Sequence, residues 1–241
     1  MGRVVFVGAG PGSADLITLR GLRALSQAQV VLFDALADPA LREHAPEARW
    51  LDVGKRGFTN ARAQAAINAM LVREALANER VVRLKGGDPS VLGRLEEEIH
   101  ALASNGIAFE IVPGVTAALA AAADTARPLT RRGNGRSVSL TTAMTQLGVL
   151  QATRTADTEV FYMAGRQLGA LSAKLMEAGW PADTPVCIVS RAGWPDVRIS
   201  DHTVGQLHEA EALHTGRPAV VTVGAGAAPA VGNNIANTSP P

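Results

Sequence analysis

Hydrophobic positions in the first half of the chain alternate between two textures. Short continuous apolar runs, "RVVFVG" (3–8), "QVVLFDA" (29–35), "ARWLDVGK" (48–55), "RVVRLKGG" (80–87) and "AFEIVPG" (108–114), predict strands. The segments between them predict helices. "ADLITLRGLRALSQA" puts Leu16, Leu19, Leu22 and Leu25 on one helical face, and "ARAQAAINAMLVREALANE" (61–79) is rich in strong helix formers. "VLGRLEEEIHALASNG" carries a stripe of Leu92, Leu95, Ile99 and Leu102, and "VTAALAAAAD" follows the fifth strand. Continuous apolar strands alternating with helices imply a parallel sheet covered on both faces.

The texture changes near residue 127, where "RPLTRRGNGR" is polar and turn-rich. Beyond it "SVSLTTA", "TEVFYMA", "PVCIVS", "DVRISDHTV" and "PAVVTVG" read as strands, with one long helix, "QLGALSAKLMEAGW", among them. The expectation is an α/β protein of two lobes. Residues 1–126 form a parallel-rich N-terminal lobe, residues 127–229 a C-terminal lobe with a mixed sheet, and 230–241 a flexible tail.

Composition narrows the class. With 47% apolar and 19% charged residues the chain is a globular protein rather than a disordered one. A formal net charge of +1 argues against a surface that coats nucleic acid. No apolar run reaches membrane-spanning length, and the N-terminus lacks the pattern of a signal peptide, so the expected location is the cytoplasm with no membrane partner. The one cysteine, Cys187, lies in an apolar run and reads as core filler rather than a nucleophile. The five histidines show no ligand-like cluster, and no metal is expected.

Several residues could carry chemistry. Glycines 8, 10 and 12 in "VGAGPGS" follow a strand and precede a helix, where backbone N–H groups can approach a ligand. Their G-x-G-x-G spacing departs from the dinucleotide fingerprint. Gly10, Asp34, Lys55 and Asp88 all fall at C-terminal strand ends, the edge where parallel sheets bind ligands. Arg94 is spaced to pair with Glu97 and Glu98. An exposed ion pair and a functional site are equally good readings of that spacing. Arg127, Arg131, Arg132 and Arg136 make a cluster suited to carboxylates or phosphates, or simply a solvated loop.

In their order and spacing, "VGAGPGSADLITLRGLRAL", "VVLFDALAD", "VGKRG", "VVRLKGGDPSVLGR", "VPGVTAALAAAA", "PLTRRG", "VFYMAG" and "PAVVTVG" resemble the tetrapyrrole methyltransferases, and within them the uroporphyrinogen-III C-methyltransferases, over roughly residues 3–225. The resemblance implies two α/β lobes with S-adenosylmethionine in the cleft between them, a homodimer, and a tetrapyrrole substrate. It places Pro11, Gly86, Gly87, Asp88, Val91, Thr116, Ala117, Met163 and Ala192 at the cofactor, which leaves as S-adenosylhomocysteine. It puts Asp34 and Lys55 on the proton acceptor and donor positions and the catalytic Arg94 and Glu97 on the substrate side, leaves Glu97 beside Asp34 as a candidate to take the pyrrole proton, and makes Arg94, Arg131 and Arg132 clamps for substrate carboxylates. The implied reaction is C-methylation of uroporphyrinogen III at two ring positions to precorrin-2, for sirohaem or cobalamin synthesis.

Departures from the family pattern fall at Phe33 and Ala35, at Leu95 and Glu96 after the trough arginine, at Arg131 and at Met144. They leave open a sibling precorrin methyltransferase, an RNA or protein methyltransferase of the superfamily, an NAD-dependent oxidoreductase built on "GAGPG", and a cofactor-binding protein without turnover.

Overall fold

The computed structural model describes residues 2–54, 60–144 and 148–230. The chain divides into two compact units, 1–116 and 117–241.

The first unit is built on five parallel strands, β1 (Arg3–Gly8), β2 (Val30–Phe33), β3 (Arg49–Asp52), β4 (Arg80–Lys85) and β5 (Ala108–Val112), in the order β3-β2-β4-β1-β5. Alternate side chains serve opposite faces. Val4, Phe6, Val30, Leu32 and Val81 pack under α2 (Asn60–Ala77) and α3 (Leu95–Ala103) with Leu71 and Leu102, while Val5, Val7, Val31, Val82 and Leu84 pack with Leu25 and Leu41.

Two helices begin later than their hydrophobic spacing predicts. Ile17 and Thr18 are extended, Thr18 Oγ1 accepts the N–H of Gly21, and α1 runs only over Leu19–Ser26. Leu16 therefore sits in a separate short 3-10 turn, and Leu19 is exposed while Leu25 is buried. In α3, Leu92 and Arg94 both take positive φ, 54° each, so the helix starts at Leu95 and Leu92 leaves the expected stripe. Leu95, Ile99 and Leu102 keep it. The acidic first turn, Glu96 to Glu98, complements the N-terminal end of the helix dipole.

The second unit carries a mixed sheet of β6 (Val138–Thr142), β7 (Thr158–Tyr162), β8 (Pro185–Ser190), β9 (Arg198–Thr203) and β10 (Ala219–Gly224) in the order β6-β7-β10-β8-β9. Only β6 and β7 run parallel. The core gathers Phe161, Leu168, Leu171, Leu175, Trp180, Ile188 and Val221 around α5 (Leu168–Glu177). The unit begins with α4 (Ala117–Asp124), ten residues before the junction read at 127. That helix is held by second-unit partners: Tyr162 Oη accepts the N–H of Ala118, and the Asp124 carboxylate accepts that of Gly193. A 3-10 segment (204–210) and the short α6 (Glu211–His214) lie beyond the expected elements. The tail 231–241 lies outside the described residues. Among the described residues no helix is long and apolar enough to cross a membrane.

Candidate active site

Three loops meet at the C-terminal edge of the parallel sheet. The Gly86–Asp88 turn after β4 forms an antiparallel bridge with the loop after β1: Gly87 N donates to Gly10 O at 2.7 Å and Gly10 N to Gly87 O at 3.3 Å. The loop after β5 closes on both. A Cβ on Gly114 would lie 2.4 Å from Gly87 O and 2.7 Å from Gly8 Cα, so this crossing tolerates only glycine. Asp88 locks it, one carboxylate oxygen accepting Gly114 N at 2.8 Å and the other Ser90 N at 2.7 Å.

Gly87 itself has φ +72° and open space where a Cβ would project, the nearest atoms being Val115 O at 3.9 Å and Thr116 Cα at 4.0 Å. A small ligand can therefore approach this backbone directly. The arrangement fits a cofactor bound through main chain, the kind the glycine-rich turn calls for. Val91 closes the turn with an N–H to Asp88 O, and Thr116 is buried beside it. Pro11 is half-buried in the loop after β1.

Asp34 stands at the same edge. Its Oδ1 accepts the N–H groups of Leu36 and Gly86, both at 3.2 Å, which ties it to the cofactor-type turn rather than to a helix cap. Behind it lies a charge cluster that the sequence reading missed. Arg83 and Lys85 project from β4 into the α2/α3 side of the sheet, where Glu98 is fully buried. Arg83 Nε donates to Glu98 Oε1 at 3.1 Å and Lys85 Nζ to Oε2 at 2.9 Å. Burial, and then the neighbouring Arg83, push the Lys85 ammonium below its ordinary pKa. The signal was present in the spacing. Positions 81, 83 and 85 share a face of a buried strand, and Glu98 falls on the apolar stripe of α3.

Arg94 and Glu97 pair with each other, Nε to Oε1 and Nη2 to Oε2, each at 2.7 Å, on the partly exposed start of α3. Glu98, which spacing also offered to Arg94, turns inward instead. Glu96 is exposed and Leu95 half-buried. Lys55 lies outside the described residues.

The remaining candidates belong to the second unit. Ala117 opens α4 and Met163, with φ +60°, follows Tyr162, whose hydroxyl holds Ala118. Ala192 is buried in a loop fastened by Gly193 N to Asp124 and by the Arg191–Asp196 ion pair. Tyr162 and Asp124 thus support the carried-over positions from both ends of one helix, which no local spacing signalled. Arg131 gives its guanidinium to the carbonyls of Ala228 and Pro229, whereas Arg132 is exposed. Arg127 is buried in a bidentate pair with Asp201. Cys187 is buried, and desolvation pushes its thiol up to about 12, in keeping with a core role.

The fold and the sequence have counterparts among known proteins. A family model, Tetrapyrrole (Corrin/Porphyrin) Methylases, matches residues 3–208. A uroporphyrinogen-III C-methyltransferase of Pseudomonas aeruginosa is 41% identical over 228 residues, covering 92% of this chain and 93% of the relative. A siroheme synthase of Psychrobacter cryohalolentis is 40% identical over 220 residues, and there the match spans 42% of the longer protein. The solved uroporphyrin-III C-methyl transferase of Thermus thermophilus, complexed with S-adenosylhomocysteine, superposes with a TM-score of 0.81 at 34% identity, over 92% of this chain and 97% of that one. The parallel sheet with its glycine-crossed edge, the mixed second sheet and this match along nearly the whole length make the chain a member of the tetrapyrrole (corrin/porphyrin) methylase family.

Proposed function

We propose that the chain is an S-adenosylmethionine-dependent C-methyltransferase that methylates uroporphyrinogen III at two ring positions, giving precorrin-2 for sirohaem or cobalamin synthesis. The observation that carries this reading is the direct joining of Asp34 to the Gly86–Asp88 turn at one sheet edge, in a chain so similar to a uroporphyrinogen-III C-methyltransferase. The neighbour complexed with S-adenosylhomocysteine supports the choice of donor.

The sulfonium cofactor, when bound, supplies a methyl group already activated for attack by carbon. The protein's task is alignment, exclusion of water and disposal of a proton. Gly8 and Gly114 let the loops cross, Gly87 leaves its backbone open to the cofactor, and Pro11, Gly86, Asp88, Val91, Thr116, Ala117, Met163 and Ala192 complete its contacts. Carbon–carbon bond formation leaves a positively charged pyrrole, discharged by losing a proton. Asp34, partly exposed beside the turn, is the acceptor in this reading. Glu97 has both oxygens on Arg94 and serves to shape that guanidinium for substrate carboxylates. Arg132 is exposed, whereas Arg131 is occupied by backbone carbonyls, so Arg132 is the better second clamp. Lys55 is retained as proton donor, and a homodimer as the working assembly.

Incubation with uroporphyrinogen III and methyl-labelled S-adenosylmethionine is expected to yield labelled precorrin-2. Absence of label from the tetrapyrrole refutes the reading, and label only in a later precorrin moves the chain to a sibling activity. Asp34→Asn keeps an acceptor for Gly86 N, so turnover should fall by about 10²–10⁴ while S-adenosylhomocysteine binding persists.

A further inference from the structure

We propose that Glu98 is the positioning residue of this site, ordering Arg83 and Lys85 from within the core and, through Arg83, fixing Asp34 against the cofactor turn. The inference deepens the methyl-transfer reading and rests on it for the role of Asp34.

A central strand of a parallel sheet is normally apolar on both faces, because both are covered. β4 breaks the rule twice on one face, with Arg83 and Lys85 each nearly fully buried. Buried cations need partners. Glu98 supplies one carboxylate to both, and Gln64 Nε2 adds a weak bond to Oε1 at 3.4 Å. Two cations on one carboxylate leave one positive charge over. It is directed to the sheet edge: Arg83 Nη1 donates to Leu84 O at 3.0 Å, reaches Leu32 O at 3.5 Å and lies 3.9 Å from Asp34 Oδ2. Leu32 and Asp34 share one face and one strand end, so Arg83 braces both the backbone leading to Asp34 and its carboxylate.

The consequence is geometric. Asp34 accepts the amide of Gly86, so whatever holds Asp34 also holds the first residue of the turn. Glu98 is borne by α3, whose first turn carries Arg94 and Glu97. One buried carboxylate thereby ties the substrate-side helix, the proton acceptor and the cofactor turn. The second cation, braced toward Asp34, is what assigns the cluster to the site.

The test uses the full chain and two variants. Glu98→Asp keeps the charge but is too short to bridge both cations. Lys85→Met with Glu98→Gln removes one buried charge of each sign, so the net charge of the cluster is unchanged. Hydrogen exchange at the amides of Gly86 and Leu36 reads the position of Asp34 without any turnover. Both amides are expected to exchange about tenfold faster in Glu98→Asp, with those of β1 unchanged. With uroporphyrinogen III, kcat should fall about 100-fold in both variants while KM and S-adenosylhomocysteine affinity stay within about threefold. A double variant that melts like wild type yet stays slow separates positioning from mere stability. Unchanged exchange at Gly86 and Leu36, or kcat within about threefold of wild type in either variant, overturns the proposal. Wild-type protein that fails to methylate sinks the methyl-transfer reading, and the exchange result still decides whether Glu98 holds Asp34.

Discussion

Replacing Gly114 with alanine tests whether the three-loop crossing makes the cofactor site. Gly114 is not among the positive-φ glycines, so the demand on it is steric alone. Its Cβ would meet Gly87 O at 2.4 Å, Gly8 Cα at 2.7 Å and Gly8 C at 2.9 Å, all backbone atoms. Reaching even 3.0 Å from Gly87 O requires a shift of 3.0 − 2.4 = 0.6 Å. Gly8 cannot give way easily, because it ends the interior strand β1 and pairs with Lys85. The shift falls on Gly87, whose N–H bond to Gly10 O closes the turn, and on the Asp88–Gly114 bond. Overpacking of this kind costs about 1–3 kcal/mol. At roughly 2–4 °C per kcal/mol for a chain of this size, the melting midpoint should drop by about 2–12 °C. S-adenosylhomocysteine affinity, measured by calorimetry, should fall more than about tenfold, because the turn itself is displaced. Gly216→Ala is the control. Its Cβ meets nothing within 4 Å but its φ is +75°, so it costs about 1–2 kcal/mol of backbone strain far from the turn in sequence and should bind like wild type. Wild-type affinity and melting in Gly114→Ala would refute the crossing as the basis of the site.

Two pH dependences follow from buried groups of the second unit. His214 is fully buried between Ser190 Oγ and Ser200 Oγ, both at 2.9 Å, and burial, aided by His202 and Arg217, pushes it from 6.5 down to about 4. The unfolded imidazole takes a proton that the folded one refuses, so stability is lost as pH falls from 6.5 toward 4, and urea titrations of His214→Asn should show a flatter acid limb. Cys187 runs the opposite way: with its thiol raised from 9.0 to about 12, the folded chain holds a proton the unfolded chain gives up, and stability declines as pH rises above 9.0. Cys187→Ala should remove that alkaline decline, and the native thiol should resist a thiol reagent at pH 8 until the protein is unfolded.

Strands were legible because a buried parallel strand announces itself by composition alone. "RVVFVG" and "QVVLFDA" each hold four consecutive apolar residues, Val4–Val7 and Val30–Phe33, most of them β-branched or aromatic. Helix starts were less legible. Leu16 and Leu19 continue the spacing of Leu22 and Leu25, yet Thr18 caps the helix and its extended backbone interrupts the face. Leu92 fails for a related reason, since the left-handed residues at 92 and 94 are set by the loop around Gly93, whose own Cβ would meet Pro89 O at 2.6 Å. The 204–214 segment escaped notice because a 3-10 run joined to a four-residue helix has no sustained period. At the site, Asp34 and the Gly86–Asp88 turn could be placed at one edge from strand alternation, and Glu98 on the apolar stripe of α3, whereas its meeting with Arg83 and Lys85 on another element could not.

By itself the sequence determined which segments are strands, that the first five are of the parallel, doubly covered kind, and which family the ordered motifs belong to. The strands follow from properties that act within a few residues, hydrophobic run length and side-chain period, whereas the family follows from the resemblance of the ordered motifs along the chain. Tertiary structure decided the strand order β3-β2-β4-β1-β5, the crossing of Gly8, Gly87 and Gly114, and the choice between Glu97 and Glu98. The two glutamates are chemically identical neighbours on one helix. One pairs with Arg94 at the surface and the other with Arg83 and Lys85 in the core, because α3 lies on the face of β4 that carries those two cations. That face-to-face placement depends on chain segments far apart in sequence packing against each other, and no local pattern encodes it.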